Sequence, residues 1–502
     1  MSSTPTPTPD QPVDDRSGGL ARGRLGTFDI FFFVVAAAAP LAVMAGAAPL
    51  AFRLGGIGAP GAYLFSGIVY ILCAAGFTAF ARHVRNAGAF SAFIGRGLGR
   101  TAGGAAAFVA LLSYALICAG FYGFLGFYAA STFNPMIGIE LHWSVYALAG
   151  LAVVAVLGYR QIDIGARVLA VLMILEVLIL AVIAVAVLAT EGTSNFSIEP
   201  FAPGNVFNLA SGGMFVLALG AFIGFESTAI YAEEARSPER TVPRATYFAV
   251  GFLAVFYAFI AWIAVAALDV DGLVEYSLSD VFQGLYFMLA ESYLGAWAST
   301  VMGLLIVTSI LAATIAFHNA TSRYLFSLGR DGFLPARLGV THPRFRSPAR
   351  ASLVTTIVSL MLISLTVTFS ADPYLVLLLW TNGVGIVGVV ALQAVCMVAV
   401  IRFFARDRRG HGVFRVLVAP LLGVIGLVAG LVLMVTNLEL LTGRTDWVNW
   451  ALMLSLVVAA VVGAFRARRL GGGGAGDAGD AERADAEPGG ERRRALGMST
   501  KK

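Results

Sequence analysis

Charged residues are scarce in this chain. They make up 13% of its 502 residues, whereas hydrophobic residues make up 58% and the mean hydropathy is +0.83. A soluble domain carries about 25% charged residues, so the composition excludes a soluble globular protein. Apolar runs of about 20 residues, each long enough to cross a bilayer as a helix, recur along most of the sequence. The composition therefore predicts an all-α polytopic membrane protein with a single membrane domain.

Lysine, cysteine and catalytic motifs are also rare. Lysine occurs only at Lys501 and Lys502, and the other basic residues are arginines between the apolar runs, a pattern that orients membrane helices. Cys73, Cys118 and Cys396 show no CxxC spacing, and we expect packed thiols. No catalytic triad or phosphate-binding loop is recognisable. We expect a protein that is not an enzyme, with no cofactor, no metal and no nucleic-acid partner.

Twelve apolar spans are predicted, and arginines orient them. The spans are 28–52, 59–81, 102–131, 143–159, 166–190, 209–233, 245–268, 294–318, 351–370, 374–402, 414–436 and 446–465. The loops after spans 2, 4, 6, 8 and 10 are rich in arginine and the opposite loops are not. By the positive-inside rule, we expect a multi-pass protein of the cytoplasmic membrane with both termini in the cytoplasm. No cleavable signal peptide is apparent, and residues 1–24 and 470–502 are expected to be disordered tails that flank a transmembrane domain over 25–469.

Span 6 contains residues that a straight membrane helix disfavours. Gly220 and Gly224 lie near its middle and Glu226 follows them. A glycine weakens a helix interior by about 1 kcal/mol relative to alanine. A carboxylate at the bilayer centre costs roughly 2.5 to 3.5 kcal/mol. We therefore expect the helix to be broken at this point, at mid-depth in the membrane.

Span 1 has a matching irregularity. Pro40 and Gly46 fall inside it, and an interior proline removes a backbone hydrogen bond and clashes with the preceding turn. Spans 1 and 6 each begin a set of five spans, and because five is odd the two sets run in opposite directions. This predicts a five-plus-five inverted repeat (about 28–190 and about 209–402) with broken helices 1 and 6, plus two extra helices at about 414–465. Interrupted segments at corresponding positions of two halves indicate a transporter binding site.

Four stretches of the sequence carry a family resemblance. Phe222-Ile223-Gly224-Phe225-Glu226-Ser227 is similar to a Phe-x-Gly-x-Glu segment, and Asn86-Ala87-Gly88-Ala89-Phe90 is similar to a Pro-x-Ala-Gly-Gly-x-Tyr loop. The other two are the segment that begins Asn319-Ala320-Thr321-Ser322-Arg323 and the broken span 1. By these motifs the chain resembles the amino acid-polyamine-organocation (APC) superfamily of permeases, from about Asp29 through span 12.

The resemblance implies a secondary active transporter (permease). It would move amino acids or related amines by alternating access, through proton-coupled symport or through exchange. Alternatives are a sodium-coupled amino acid symporter, a polyamine or amine antiporter and a non-transporting membrane sensor. The expected partners are a small-molecule substrate (an amino acid or amine), protons or sodium, and the lipid bilayer.

Broken helices suggest how such a substrate would be held. A break exposes amides at the start of the second half-helix and carbonyls at the end of the first, which suits a zwitterion. Amides around Met44 to Ala47 would hold a carboxylate, and carbonyls around residues 38–41 and 219–222 would accept from an ammonium. The alternative is an ordinary kink that neighbouring helices relieve. The predicted substrate-binding residues are Ala39, Pro40, Leu41, Met44, Ala45, Gly46, Gly220, Ala221, Phe222, Ile223, Gly224 and Tyr122.

Two acidic residues lie inside apolar spans. Glu226 follows the break in span 6, and Glu176 lies about 10 residues into span 5. Intramembrane acids are functional by default, so we predict that both take part in proton coupling or gating. Because several relatives carry a lysine in this part of helix 5, Glu176 reverses the sign of the charge. Each acid has a structural alternative, a carboxyl group satisfied by hydrogen bonds. Thr308 and Ser309 would offer hydroxyls to a sodium ion.

Overall fold

The computed structural model describes residues 26–83, 89–160, 166–192, 195–208, 211–226, 228, 235–345 and 347–471. Helices form the regular structure in these ranges, which hold no β-strand. Ten of the described helical segments are long and apolar enough to cross a membrane, by length and composition. This confirms the predicted all-α polytopic architecture.

The long helices follow one another in the order that the apolar runs predict. In chain order they are α1 (Thr27–Ala38), α2 (Ala48–Gly55), α3 (Ala59–Ala81), α4 (Ala89–Leu98), α5 (Arg100–Ile137), α6 (Trp143–Arg160), α7 (Ala166–Glu191), α8 (Gly212–Gly220), α9 (Pro238–Leu278), α10 (Leu285–Leu294), α11 (Ala296–Arg330), α12 (Ala349–Thr368), α13 (Leu379–Arg406), α14 (Ala419–Thr436) and α15 (Trp447–Gly471). Wider π-helical turns over Ala42–Ala47, Pro373–Leu378 and Phe414–Val418 lead into α2, α13 and α14.

The ten segments and the twelve predicted spans differ in two places. The first segment, Thr27–Ala81, contains both span 1 and span 2. Span 6 is missing from the ten because α8 has only nine residues. Beyond residue 226, span 6 continues through 227 and 229–234, which are outside the described residues. Glu233 and Glu234 belong to this part of the chain.

The predicted break in span 1 is confirmed. α1 ends at Ala38, and Ala39 adopts a left-handed conformation (φ 47°) in which its amide donates to the carbonyls of Val35 and Ala36. A left-handed residue other than glycine costs roughly 1 to 2 kcal/mol. Pro40 follows and offers no amide of its own. The chain then resumes as the π-helical turn that leads into α2.

The predicted break in span 6 is confirmed as well. α8 ends at Gly220, and residues 221–226 form turns instead of continuing the helix. The amide of Ile223 donates to the Gly220 carbonyl at 3.0 Å, which is a tight three-residue turn. Gly224 then takes a φ of 112°, a conformation that only glycine adopts readily. The two breaks face one central region of the helix bundle.

Helices at corresponding positions of the two halves pack against each other. α3 contacts α9, α5 contacts α11, and α6 contacts α12, which pairs span 2 with 7, span 3 with 8 and span 4 with 9. This arrangement supports two related halves that face each other. The residue boundaries of the two repeats and of the tails stay predictions.

We expect the conformation of Gly224 to be indispensable. A methyl group at this position would meet only Ala37 Cβ, at 3.7 Å, so space is available and backbone strain is the obstacle. Gly224→Ala should therefore destabilise the protein by about 1 to 3 kcal/mol and lower its apparent melting temperature in detergent. Gly251→Ala in α9, where no atom lies within 4 Å of the added methyl, should raise the melting temperature. Equal effects of the two substitutions would contradict the strained break.

Candidate substrate cavity and its buried carboxyl groups

A cavity of about 100 Å³ lies between the two helix breaks. Its wall comes from both broken helices and from α5, α11 and α13. The lining residues are Ala37, Ala38, Ala39, Ala42, Val43, Ala47, Leu50, Ile117, Phe121, Phe124, Leu217, Gly220, Ala221, Ile223, Phe317, Tyr374, Leu378, Leu379, Asn382 and Ile386. None of these described lining residues is charged.

Helical spacing explains the aromatic side of the cavity. Ile117, Phe121 and Phe124 follow one another on α5 at intervals of four and three residues, so they share one face of that helix. The ring of Phe121 stacks on Phe317 of α11, with centroids 5.3 Å apart and planes 20° from parallel. Small residues cover the opposite side, where both helices are broken. The cavity is thus an apolar slot between two aromatic rings and two irregular backbones.

The structure brings four of the twelve predicted substrate-binding residues to the cavity wall. These are Ala39, Gly220, Ala221 and Ile223. The wall does not include Pro40, Leu41, Met44, Ala45, Gly46, Phe222, Gly224 or Tyr122. Tyr122 neighbours Phe121 on α5 and is fully buried on another face of that helix. Binding roles for all twelve stay predictions.

Tyrosine hydroxyl groups satisfy backbone carbonyls at both breaks. Each hydroxyl lies within hydrogen-bond distance of a backbone carbonyl at an interrupted helix end. The pairs are Tyr257 to Ala38 (3.3 Å), Tyr128 to Ala45 (3.3 Å), Tyr374 to Gly46 (2.7 Å) and Tyr70 to Leu219 (3.2 Å). Two of these acceptors, Ala38 and Leu219, are carbonyls expected to receive a substrate ammonium. Nothing in the sequence indicated these tyrosine partners, because they come from distant helices.

Glu226 lies in a fully formed hydrogen-bond cluster. Its side chain is 1% exposed. Its Oε1 accepts a short hydrogen bond from the Tyr114 hydroxyl of α5. Its Oε2 accepts from the backbone amide of Gly224 at 3.0 Å. The carboxyl group therefore stabilises the break in its own segment and connects it to α5.

Gln393 of α13 extends this cluster. Its amide nitrogen lies 3.5 Å from Glu226 Oε2, and its amide oxygen accepts from the Tyr70 hydroxyl at 2.8 Å. Tyr70 belongs to α3, so one polar chain joins α3, α13, the break and α5. Gln393 and Asn382 are the two amide side chains in the apolar run of span 10, and sequence reasoning passed over this signal.

Glu176 is the buried carboxyl group beside the first break. It is 4% exposed on α7 and accepts a hydrogen bond from the Ser309 hydroxyl of α11 at 2.6 Å. The backbone amide of Leu41 in the broken segment lies near the same carboxyl group. Each break thus has one buried glutamate beside its irregular backbone. The Ser309 hydroxyl, expected to face a sodium ion, donates to Glu176 in this structure.

Asn382 is the polar side chain of the cavity that the sequence did not single out. It lies on α13 and lines the cavity. Its amide nitrogen is buried and has no hydrogen-bond partner among the described residues. A buried amide without a partner costs roughly 1 to 3 kcal/mol, which a ligand with a hydrogen-bond acceptor would recover. This nitrogen packs against Gly120 of α5, so Asn382 would donate to a bound anionic group after a rotation of its side chain.

Comparison with known proteins places this geometry in a family. The sequence matches the family model described as Amino acid permease over residues 25–462. The chain belongs to this family. The match covers every helix named above except the last residues of α15, and it includes both breaks and both glutamates.

Individual relatives are more distant. An uncharacterized transporter of Mycobacterium tuberculosis is 32% identical over 138 residues, which is 27% of this chain and 29% of that protein. The branched-chain amino acid permease of Bacillus subtilis is 24% identical over 196 residues, 38% of this chain and 39% of that protein. The low-affinity putrescine importer of Escherichia coli K12 is 22% identical over 419 residues, 81% of this chain and 86% of that protein. The aligned segments of the first two span well under half of those proteins.

The contribution of the hydrogen bond between Tyr114 and Glu226 to stability can be measured by comparing two tyrosine-to-phenylalanine substitutions. Tyr114→Phe removes a buried donor to a carboxyl group and should cost about 1 to 3 kcal/mol, with a lower apparent melting temperature. Tyr122→Phe is the control. Its hydroxyl is buried on the same helix and has no partner among the described residues. If both variants melt at the wild-type temperature, Tyr114 does not hold Glu226.

Proposed function

We propose that this protein is a secondary active transporter that carries amino acids with neutral, apolar side chains across the cytoplasmic membrane by alternating access. Both termini would face the cytoplasm. The observation that carries the proposal is the apolar cavity enclosed by two broken helices. Membership in the permease family supports transport, and the chemistry of the cavity wall supports this class of substrate.

The wall suits an uncharged side chain. No described lining residue would pair with the ammonium of lysine or with the second amine of a diamine, and an unpaired buried charge costs several kcal/mol. An aliphatic or aromatic side chain would instead gain about 25 cal/mol per Å² of apolar surface that it removes from water. The slot between Phe121 and Phe317 would hold that side chain.

The main-chain groups of the substrate would meet the breaks. Asn382 would donate to the carboxylate together with amides of the π-helical turn at Ala42–Ala47. The carbonyl ends of α1 and α8 would accept from the ammonium, since half-helix ends carry matching partial charges. Tyr257 now donates to the Ala38 carbonyl, and the Tyr70 hydroxyl lies 3.2 Å from the Leu219 carbonyl. Their hydroxyls would turn away when the substrate binds.

Glu226 and Glu176 would couple transport to protons. Glu226 accepts a backbone amide at the second break, and Glu176 accepts a hydroxyl of α11 beside the first break, so adding or removing a proton changes hydrogen bonds next to both breaks. Burial favours the neutral form of a carboxyl group, and exposure to water favours the charged form. A site that opens alternately to the two sides would therefore bind and release protons as its hydration changes.

Sodium coupling is the second candidate. The Glu176 carboxyl group and the Ser309 hydroxyl meet beside the broken helix 1. Oxygen ligands of this kind suit a hard cation as well as a proton. Uptake driven by an imposed proton gradient or by an imposed sodium gradient distinguishes proton coupling from sodium coupling.

Uptake by proteoliposomes tests the substrate class. We expect saturable uptake of leucine, isoleucine, valine or phenylalanine, and weak competition by lysine, glutamate and putrescine. Gly220→Val should narrow the cavity, because the first carbon added at this position would already lie 2.7 Å from Ile386 Cδ1. It should reduce uptake of the largest substrates most. Gly251→Val, in open space on α9, should leave selectivity unchanged. Strong lysine or putrescine uptake with no leucine uptake would overturn the proposed substrate class.

Glutamate-to-glutamine substitutions test the coupling. Glu226→Gln and Glu176→Gln keep a hydrogen-bond acceptor and remove the titration, so an inward proton gradient should no longer concentrate substrate, while exchange of internal for external substrate persists. Glu291→Gln, an exposed position on α10, should behave as the wild type. Accumulation that follows a sodium gradient and ignores a proton gradient would favour the sodium alternative. A Glu226→Gln protein with unchanged pH dependence would reduce Glu226 to a structural role.

A further inference from the structure

A second cavity lies far from the substrate site, at the end of α13 that the positive-inside rule places on the cytoplasmic side. Its volume is about 290 Å³. Its wall consists of Arg96, Gly97, Arg402, Phe403, Arg406, Asp407 and Arg409. Four guanidinium groups thus share a hollow with one carboxylate. The alternative interpretation is that these arginines only orient the helices in the membrane.

Close packing gives this hollow a defined shape. α4 approaches α13 at Gly97, where a methyl group would lie 2.6 Å from the Ala399 carbonyl oxygen. This contact fixes Arg96 on one side and Arg402 and Arg406 on the other. Arg409 lies over the Phe403 ring at 4.6 Å, and its amide donates to Asp407 at 2.9 Å. The backbone contact therefore places four exposed arginines around one hollow, which orientation signals alone do not require.

The same face of α13 continues as an apolar stripe. Val395 and Val398 are 40% and 42% exposed, and Arg402, Ala405 and Arg406 are exposed beyond them. Residues at these intervals of three and four lie on one side of a helix. Apolar side chains at membrane depth therefore lead directly to guanidinium groups at the membrane surface.

We propose that this cavity binds the phosphate headgroup of an anionic phospholipid, with an acyl chain along Val395 and Val398. Guanidinium groups bind phosphate through paired hydrogen bonds, and basic pockets at the cytoplasmic ends of membrane helices take anionic headgroups. The apolar stripe favours a lipid over free phosphate. The bound lipid would hold α13, the helix that also carries Asn382 and Gln393.

Measurement of lipid binding to the purified full-length protein in detergent tests the proposed phospholipid site. Phosphatidylglycerol and phosphatidylcholine with identical acyl chains are titrated, and bound lipid is counted by native mass spectrometry. We expect one saturable phosphatidylglycerol site, and binding at least roughly tenfold weaker in Arg402→Gln with Arg406→Gln, since two of the four guanidinium groups around the phosphate are removed. Arg402→Lys with Arg406→Lys should restore part of the affinity. Arg466→Gln with Arg468→Gln, exposed at the end of α15, is the charge-matched control and should bind as the wild type.

Two results would overturn the proposal. The first is equal phosphatidylglycerol binding by the Arg402/Arg406 variant and by the Arg466/Arg468 control. The second is displacement of phosphatidylglycerol by inorganic phosphate at the concentration of the lipid, which would indicate a site for free phosphate. Melting temperatures without lipid establish that the compared variants are equally folded.

Discussion

Backbone polar groups in the middle of a membrane protein must find partners inside the protein, and this requirement organises the structure. In hydrocarbon an unbonded amide or carbonyl costs several kcal/mol. Two helices are nevertheless broken at mid-span, at Ala39 and at residues 221–226. The breaks persist because side chains from other helices supply the missing hydrogen bonds.

The partners divide by chemistry. A buried glutamate lies at each break: Glu226 accepts from the Gly224 amide, and Glu176 accepts from the Ser309 hydroxyl and lies near the Leu41 amide. Tyrosine hydroxyls lie within hydrogen-bond distance of backbone carbonyls at the breaks. Groups that form these bonds can also exchange them for the amino and carboxyl groups of a substrate at small net cost, because one hydrogen bond replaces another. The residues that stabilise the helix breaks are thus the same residues that would bind the substrate and couple its transport to protons.

The sequence predicts the architecture well because its signals are local. Recurrent apolar runs give the spans, and Pro40, Gly220 and Gly224 mark the breaks. The two intramembrane glutamates are also visible as isolated charges. Each of these features depends on residues that lie within one span.

The partners of the breaks are hidden from such reasoning because they come from other helices. Tyr257, Tyr128 and Tyr374 read as ordinary aromatic residues until the fold places their hydroxyls beside carbonyls. Asn382 reads as a polar residue near a span end, and only the structure shows its unpaired amide beside the cavity. Amides around Met44 to Ala47 are expected to hold the carboxylate, and of this stretch the cavity wall includes Ala47, next to Ala42 and Val43.

A structure of the protein with bound leucine tests the central claim most directly. The account predicts leucine between the two breaks, with its side chain between Phe121 and Phe317, its carboxylate within hydrogen-bond distance of Asn382 Nδ2, and a backbone carbonyl of α1 or α8 accepting from its ammonium. Leucine bound elsewhere, with the tyrosine-to-carbonyl hydrogen bonds intact and the cavity empty, would contradict it.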